Sequence, residues 1–149
     1  MKIYLGADHA GFALKEQVKK KLAASYDVVD LGNTHFSRND DYVDYARKVA
    51  EAVAGQDAMG ILFCDTGVGM EVVANKVKGI RAVNATSELM ASRAREHENA
   101  NVLCLGHLFV KPAVAKRIVS TFLQTKPSRA ARHQRRIAKI AALEKSWRS

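Results

Sequence analysis

The run Gly60-Ile61-Leu62-Phe63-Cys64-Asp65-Thr66-Gly67-Val68-Gly69 passes from a wholly apolar strand into a polar, glycine-bearing loop. A strand with no polar face is covered on both sides, as in a parallel sheet between two layers of helices. The flanking sequence fits that reading. Upstream, Tyr42–Ala54 predicts a helix with Tyr42, Tyr45, Ala46, Val49, Ala50 and Val53 along one side. Before it come a strand at Tyr26–Leu31, a helix at Phe12–Ala24 with Leu14, Val18 and Leu22 at every fourth position, and a strand at Lys2–Gly6. Downstream, helices at Met70–Val77, Ser87–Glu96 and Val114–Thr125 alternate with strands at Ile80–Ala85 and Asn101–Leu105. Pro127 breaks the pattern, and Arg129–Trp147 predicts a last, basic helix. Repeated βα units predict a three-layer α/β/α, Rossmann-like fold, with a five-stranded parallel sheet and a C-terminal basic helix.

The 149 residues suit one domain, with an α/β core over 1–125 and a helical tail over 126–149. With 48% hydrophobic residues the chain can bury a core, which excludes a disordered protein. The formal net charge of +9 is unevenly placed. Residues 1–110 carry 13 basic and 14 acidic side chains, whereas 111–149 carry 11 basic and one acidic, Glu144. The two cysteines, Cys64 and Cys104, form neither a disulfide framework nor a metal-ligand spacing. With no apolar run of membrane-spanning length and no leader-like start, a reduced cytoplasmic protein is expected.

Open parallel sheets bind ligands at the carboxyl ends of their strands, so polar groups there carry the functional signal. The first strand ends in Asp8-His9, ahead of Gly11. Asp8 reads either as a helix N-cap or as a site carboxylate. Cys64 reads as a buried strand residue or as a nucleophile or base. The loop Asp65–Gly69, opening onto a helix, suits a phosphate or an oxyanion through its backbone N–H groups. It is neither a Walker loop nor a dinucleotide fingerprint, because Val72 stands where the third glycine belongs. His97 lies near a helix C-terminus, where it can complement the dipole. Arg132 and Arg136, four residues apart, share one helical face and can grip one phosphate.

As an ordered set these patches resemble the ribose-5-phosphate isomerase B family, which includes allose-6-phosphate and galactose-6-phosphate isomerases. The resemblance is carried by Gly6-Ala7-Asp8-His9-Ala10-Gly11-Phe12, Asp41-Tyr42, Cys64 with Thr66–Gly69, Ala74-Asn75-Lys76, Gly79-Ile80-Arg81-Ala82, His97 with Asn101, and Arg132–Ile137. It implies an aldose–ketose isomerase acting through a cis-enediolate, with no metal or cofactor. Cys64 then resembles the base that moves a proton between C1 and C2. In some relatives a Glu after the glycine loop does this, but that place holds Met70. Thr66 would bond the reacting oxygens, and the amides of 65–69, including Gly67, Val68 and Gly69, would hold developing charge. His97 resembles the ring-opening acid, with Asp8 nearby. His9, Arg132 and Arg136 resemble the phosphate grip. The family also implies a homodimer, or a tetramer, with sites at the subunit interface.

The chain departs from the family pattern at four positions. Asp65 stands for a usual glycine, Glu98 for an asparagine, Leu108 for an arginine, and Val43 for a proline. A carboxylate at Asp65 would oppose thiolate formation if it pointed inward, and Glu98 would alter hydroxyl recognition. Ribose 5-phosphate is the default substrate. The alternatives are allose 6-phosphate, galactose 6-phosphate or a tetrose phosphate, and a non-catalytic phosphosugar-binding regulator. Nucleic-acid binding through 126–149 ranks last, since that segment holds one aromatic residue, Trp147, and no recognition motif.

Overall fold

A computed structural model describes residues 1–146, so Trp147 and Arg148 lie outside the described residues. The elements are β1 (Lys2–Ala7), α1 (Phe12–Leu22), β2 (Asp27–Asp30), α2 (Tyr42–Val53), β3 (Ala58–Cys64), α3 (Val68–Ala74), β4 (Ala82–Asn84), α4 (Glu88–Glu98), β5 (Val102–Gly106), α5 (Pro112–Gln124) and α6 (Ala131–Ser146). All strand pairs are parallel, in the order β2-β1-β3-β5-β4. This is the three-layer fold that the alternating pattern predicts. Among the described residues no helix is long and apolar enough to cross a membrane.

Every residue of β3 is buried, because helices cover both faces of the sheet. Ile61 and Phe63 join one core with β1, α1, α4 and α5. Leu62 and Cys64 point the other way, into a core shared with α2 and α3. The alternation is the two-residue period of a strand. Gly6 and Gly60 let α2 lie close to the sheet, since a Cβ at either would stand 2.8 or 2.7 Å from Val49.

The boundaries move where backbone groups find partners that a periodicity cannot show. Helix α3 starts at Val68 rather than Met70, because Gly67 at φ 82° turns the loop directly into the helix. It ends at Ala74, and the Asn75 carboxamide pairs both ways with the Ala82 backbone, at 2.8 and 2.9 Å. Strand β4 is accordingly shorter than Ile80–Ala85. Arg81 donates to the carbonyls of Glu98 and Asn99, while Asn101 bonds Arg81 N and Gly79 O. These residues stitch the start of β4 to the end of α4.

Lys15 is a fully buried cation. Its Nζ donates to Glu16 Oε1 (2.8 Å), Asp30 Oδ2 (2.5 Å) and Asn33 O (2.8 Å), and Lys19 bonds the same two carboxylates. Burial pushes the Asp30 carboxyl up, but the bonds from Lys15 and Lys19 outweigh it and hold it below the ordinary carboxylate value. Its stabilising contribution is therefore present above the unfolded-state pKa of about 3.9 and is lost as pH falls through the lower folded value. Lys15→Met strands Asn33 O and removes half of the Asp30 pairing. We expect a loss of about 3 kcal/mol, seen by calorimetry as a Tm lower by roughly 6–12 °C. An unchanged Tm would show the network to be dispensable.

Candidate active site

Chain order alone creates a crevice. After β1 the chain enters α1 on one face of the sheet, and after β3 it enters α3 on the other. The neighbouring carboxyl ends of β1 and β3 thus open between diverging loops, the position where such sheets bind ligands. Two glycines allow the loops to close up. A Cβ at Gly11 would stand 2.2 Å from the Phe63 carbonyl, and one at Gly106 would stand 2.3 Å from the Thr66 backbone. The turn carrying Asp8 therefore lies against Cys64, and the end of β5 against Thr66.

Cys64 Sγ accepts a bond from Gly67 N at 3.0 Å, and the residue is 5% exposed. Burial pushes the thiol up from its ordinary value. N–H groups of Gly67, Thr66 and Met70 pull it down by less, while the Asp8 charge adds to the rise. Asp8 is also buried, and burial raises its carboxyl, although bonds from the Gly11 and Ala10 amides and the nearby His9 oppose this. Its Oδ1 accepts from Gly11 N at 2.9 Å, so Asp8 braces the start of α1 and faces Cys64 at once. Thr66 Oγ1 accepts from Val68 N at 3.3 Å, and Asn84 Nδ2 donates to Thr66 O at 3.0 Å from the end of β4.

His9 lies at the same edge, bonded to Asp40 through both its backbone N and its ring Nδ1. Sequence reasoning missed Asp40, as well as Asn33, which holds it. Each stands in a loop where a buried carboxylate or amide leaves no periodic trace. A carboxylate at Asp65 opposes thiolate formation only if its side chain points inward. Its side chain turns outward instead, 55% exposed and 3.0 Å from His107 Nε2. Leu108 is 61% exposed beside it.

The remaining site residues named from sequence lie elsewhere. His97 is in the last turn of α4, and a crossover helix runs against its strands, so this turn is at the amino edge of the sheet. There His97 stacks on His133, ring centroids 4.3 Å apart and planes at 15°. Burial, then His97, Arg132 and Arg136, push the His133 imidazole down, and it accepts from Arg132 Nε at 3.2 Å. Arg132 and Arg136 stand one turn apart on the exposed side of α6. Glu98 lines a cavity of about 290 Å³ with Arg81, Ile140, Leu143 and Glu144. At about 3.3 Å per strand residue, β3 alone separates the two edges by roughly 20 Å. One chain therefore brings together Asp8, His9, Cys64, Thr66 and the loop amides, and holds His97, Arg132 and Arg136 apart from them.

A family model described as Ribose/Galactose Isomerase matches residues 3–140. The chain belongs to this family. A probable ribose-5-phosphate isomerase B of Mycoplasma genitalium is 45% identical over 146 residues, covering 96% of this chain and 95% of its own length. The Escherichia coli ribose-5-phosphate isomerase B is 42% identical over 145 residues, covering 96% of each chain. The crystal structure of the Mycoplasma genitalium ribose-5-phosphate isomerase B with bound ribulose-5-phosphate superposes with a TM-score of 0.91, covering 97% of this isomerase and 96% of that chain. At these identities the likeness reaches the sequence as well as the fold.

Proposed function

We propose that this isomerase interconverts ribose 5-phosphate and ribulose 5-phosphate in two sites, each built from two copies of the chain. The gathering of Cys64, Asp8, Thr66 and the loop amides at one sheet edge carries the reading. That edge holds the parts needed for proton abstraction beside a carbonyl: a base and donors for the resulting oxyanion. In the opened aldose the Cys64 thiolate takes the C2 proton, leaving a cis-enediolate. The developing charge on the oxygens faces the N–H groups of residues 65–69 and the Thr66 hydroxyl. The thiol returns its proton to C1 while the hydroxyl proton passes from O2 to O1, and the carbonyl ends at C2.

Ring opening needs an acid, and the phosphate needs cations. The partner subunit's His97 supplies the first, and the partner's Arg132 and Arg136 join His9 for the second. Apolar side chains at the carboxyl edge support docking of a second copy: Val68, Val72, Leu89, Met90, Leu108 and Phe109 are all exposed large hydrophobics. A two-fold pairing of this edge with the amino edge of the partner makes both sites at once. The Asp65 carboxylate is 55% exposed and lies 3.0 Å from His107 Nε2, so it does not crowd the thiol, which supports catalysis over a phosphosugar-binding regulator.

The test is a panel of four-, five- and six-carbon aldose phosphates. Ribose 5-phosphate is expected to have the highest kcat/KM, by at least about tenfold, the usual worth of one fitted carbon unit. A six-carbon phosphate turning over better would assign the site to that sugar. Tight binding without turnover would make the protein a phosphosugar-binding regulator.

A further inference from the structure

We infer that Asp40 is a positioning residue that fixes His9 as a two-sided donor for the substrate phosphate, which rests on the place of His9 in the phosphate grip proposed above. Asp40 reaches His9 from the connection between β2 and α2, 31 residues away in the chain. Its side chain is 7% exposed, whereas the His9 side chain is 39% exposed. The Oδ1 atom accepts from His9 N at 2.9 Å and from ring Nδ1 at 2.7 Å. The Oδ2 atom accepts from Asn33 Nδ2 at 3.0 Å, and burial, then the negative charge of Asp40, raise the nearby Tyr45 hydroxyl. Asn33 is pinned in turn by Lys15 Nζ, 2.8 Å from its carbonyl. The carboxylate is therefore anchored through Asn33 and Lys15 before it meets the imidazole.

No helix-capping duty explains this arrangement, because the neighbouring Asp41 accepts from Val43 N and caps α2. The two bonds to one residue fix both the backbone and the ring of His9, and the Phe36 ring stands edge-on to the imidazole at 6.3 Å. The chemistry follows from the inventory of donors and acceptors. Nδ1–H serves Asp40, and a phosphate oxygen only accepts, so Nε2 must carry a proton too. Only the imidazolium donates at both nitrogens. Asp40 thus orients the ring and balances the charge that the phosphate needs to find there. The other carboxylate near the ring is Asp8, whose Oδ1 is engaged by Gly11 N.

The test is steady-state kinetics with ribose 5-phosphate for the wild type, Asp40→Asn, His9→Ala and the double variant. Asp40→Asn removes the charge but keeps an oxygen for His9. Asn33 Oδ1, buried with no partner, can rotate to accept from the introduced amide. Since charge-assisted hydrogen bonds are about twice as strong as neutral ones, we expect KM to rise about fivefold in D40N, with kcat changed less than about twofold. His9→Ala should raise KM further, and adding D40N to it should change nothing more. Effects that add in the double variant, or a wild-type KM in D40N, would overturn the inference. A wild-type KM in His9→Ala would instead remove His9 from the phosphate grip. Nitrogen-15 spectra of the wild type with inorganic phosphate give a readout independent of any variant. Both His9 ring nitrogens should be protonated in the complex, and a neutral ring overturns the assignment.

Discussion

Cys64→Ser should lower kcat for ribose 5-phosphate about 10³-fold, within the range expected for loss of a general base, while Tm stays within a few degrees. The residue is small and lies at the end of a fully buried strand, so the substitution leaves the packing of β3 nearly unaltered. Substantial turnover in Cys64→Ser or Cys64→Ala would mean that another group moves the proton. The wild-type pH profile carries a second signature of the same assignment. Burial and Asp8 together hold the thiol above its ordinary value, so the thiolate fraction grows with pH beyond the range of a free thiol, about 8.5. The alkaline rise in kcat/KM should lie above that value. Asp8→Asn removes the opposing charge and keeps an oxygen for Gly11 N, so it should move the rise to lower pH. A rise at or below the free-thiol range in the wild type would point to a different base.

Cys64→Ala and His97→Ala, each nearly inactive alone, should recover activity when their subunits are mixed and exchanged. The reason is the roughly 20 Å between the two sheet edges. If each site takes Cys64 from one copy and His97 from the other, a mixed dimer has one site with both lesions and one intact. Random exchange then restores about a quarter of the wild-type sites. Native mass spectrometry on tagged subunits would show that exchange took place. No recovery in an exchanged sample would mean that each site is complete within one chain, or that His97 takes no part in it.

The two substitutions probe parts of the molecule that differ in how openly the sequence declares them. The run from Gly60 to Cys64 announces a doubly covered strand through its own composition, and β3 is that strand. The amphipathic spacing of Tyr42–Ala54 yields α2 with Ala46, Val49, Ala50 and Val53 buried. Both signals are local, written within a few turns of chain. Several patches that carry the family resemblance prove to hold the fold together rather than to line the crevice. Asn75 closes the turn before β4, and Arg81 and Asn101 tie that turn to the end of α4. Side chains satisfying backbone groups across such distances leave no periodicity to read. The same holds for Asp40, whose loop position resembles any other polar turn until the chain is folded.

The basic excess of residues 111–149 divides in a similar way. Sequence shows that Arg132 and Arg136 share a helical face. It does not show that His133, on the same helix, stacks on His97 at the edge of the sheet away from Cys64. Helix α6 brings no aromatic side chain among its described residues apart from the buried His133. It offers cations without the stacking surface on which single-stranded nucleic-acid bases rest.

Alternating strands and helices, a parallel sheet, and a thiol followed by a glycine loop at a strand's carboxyl end are all legible along the chain. Periodicity, apolar runs and backbone freedom at glycine act over short stretches, so they can be read in one dimension. The order β2-β1-β3-β5-β4, the outward turn of Asp65, the clamp of Asp40 on His9, and the separation of His97 from Cys64 emerge from the folded chain. Each depends on which distant segments pack together and on helices running back against their strands.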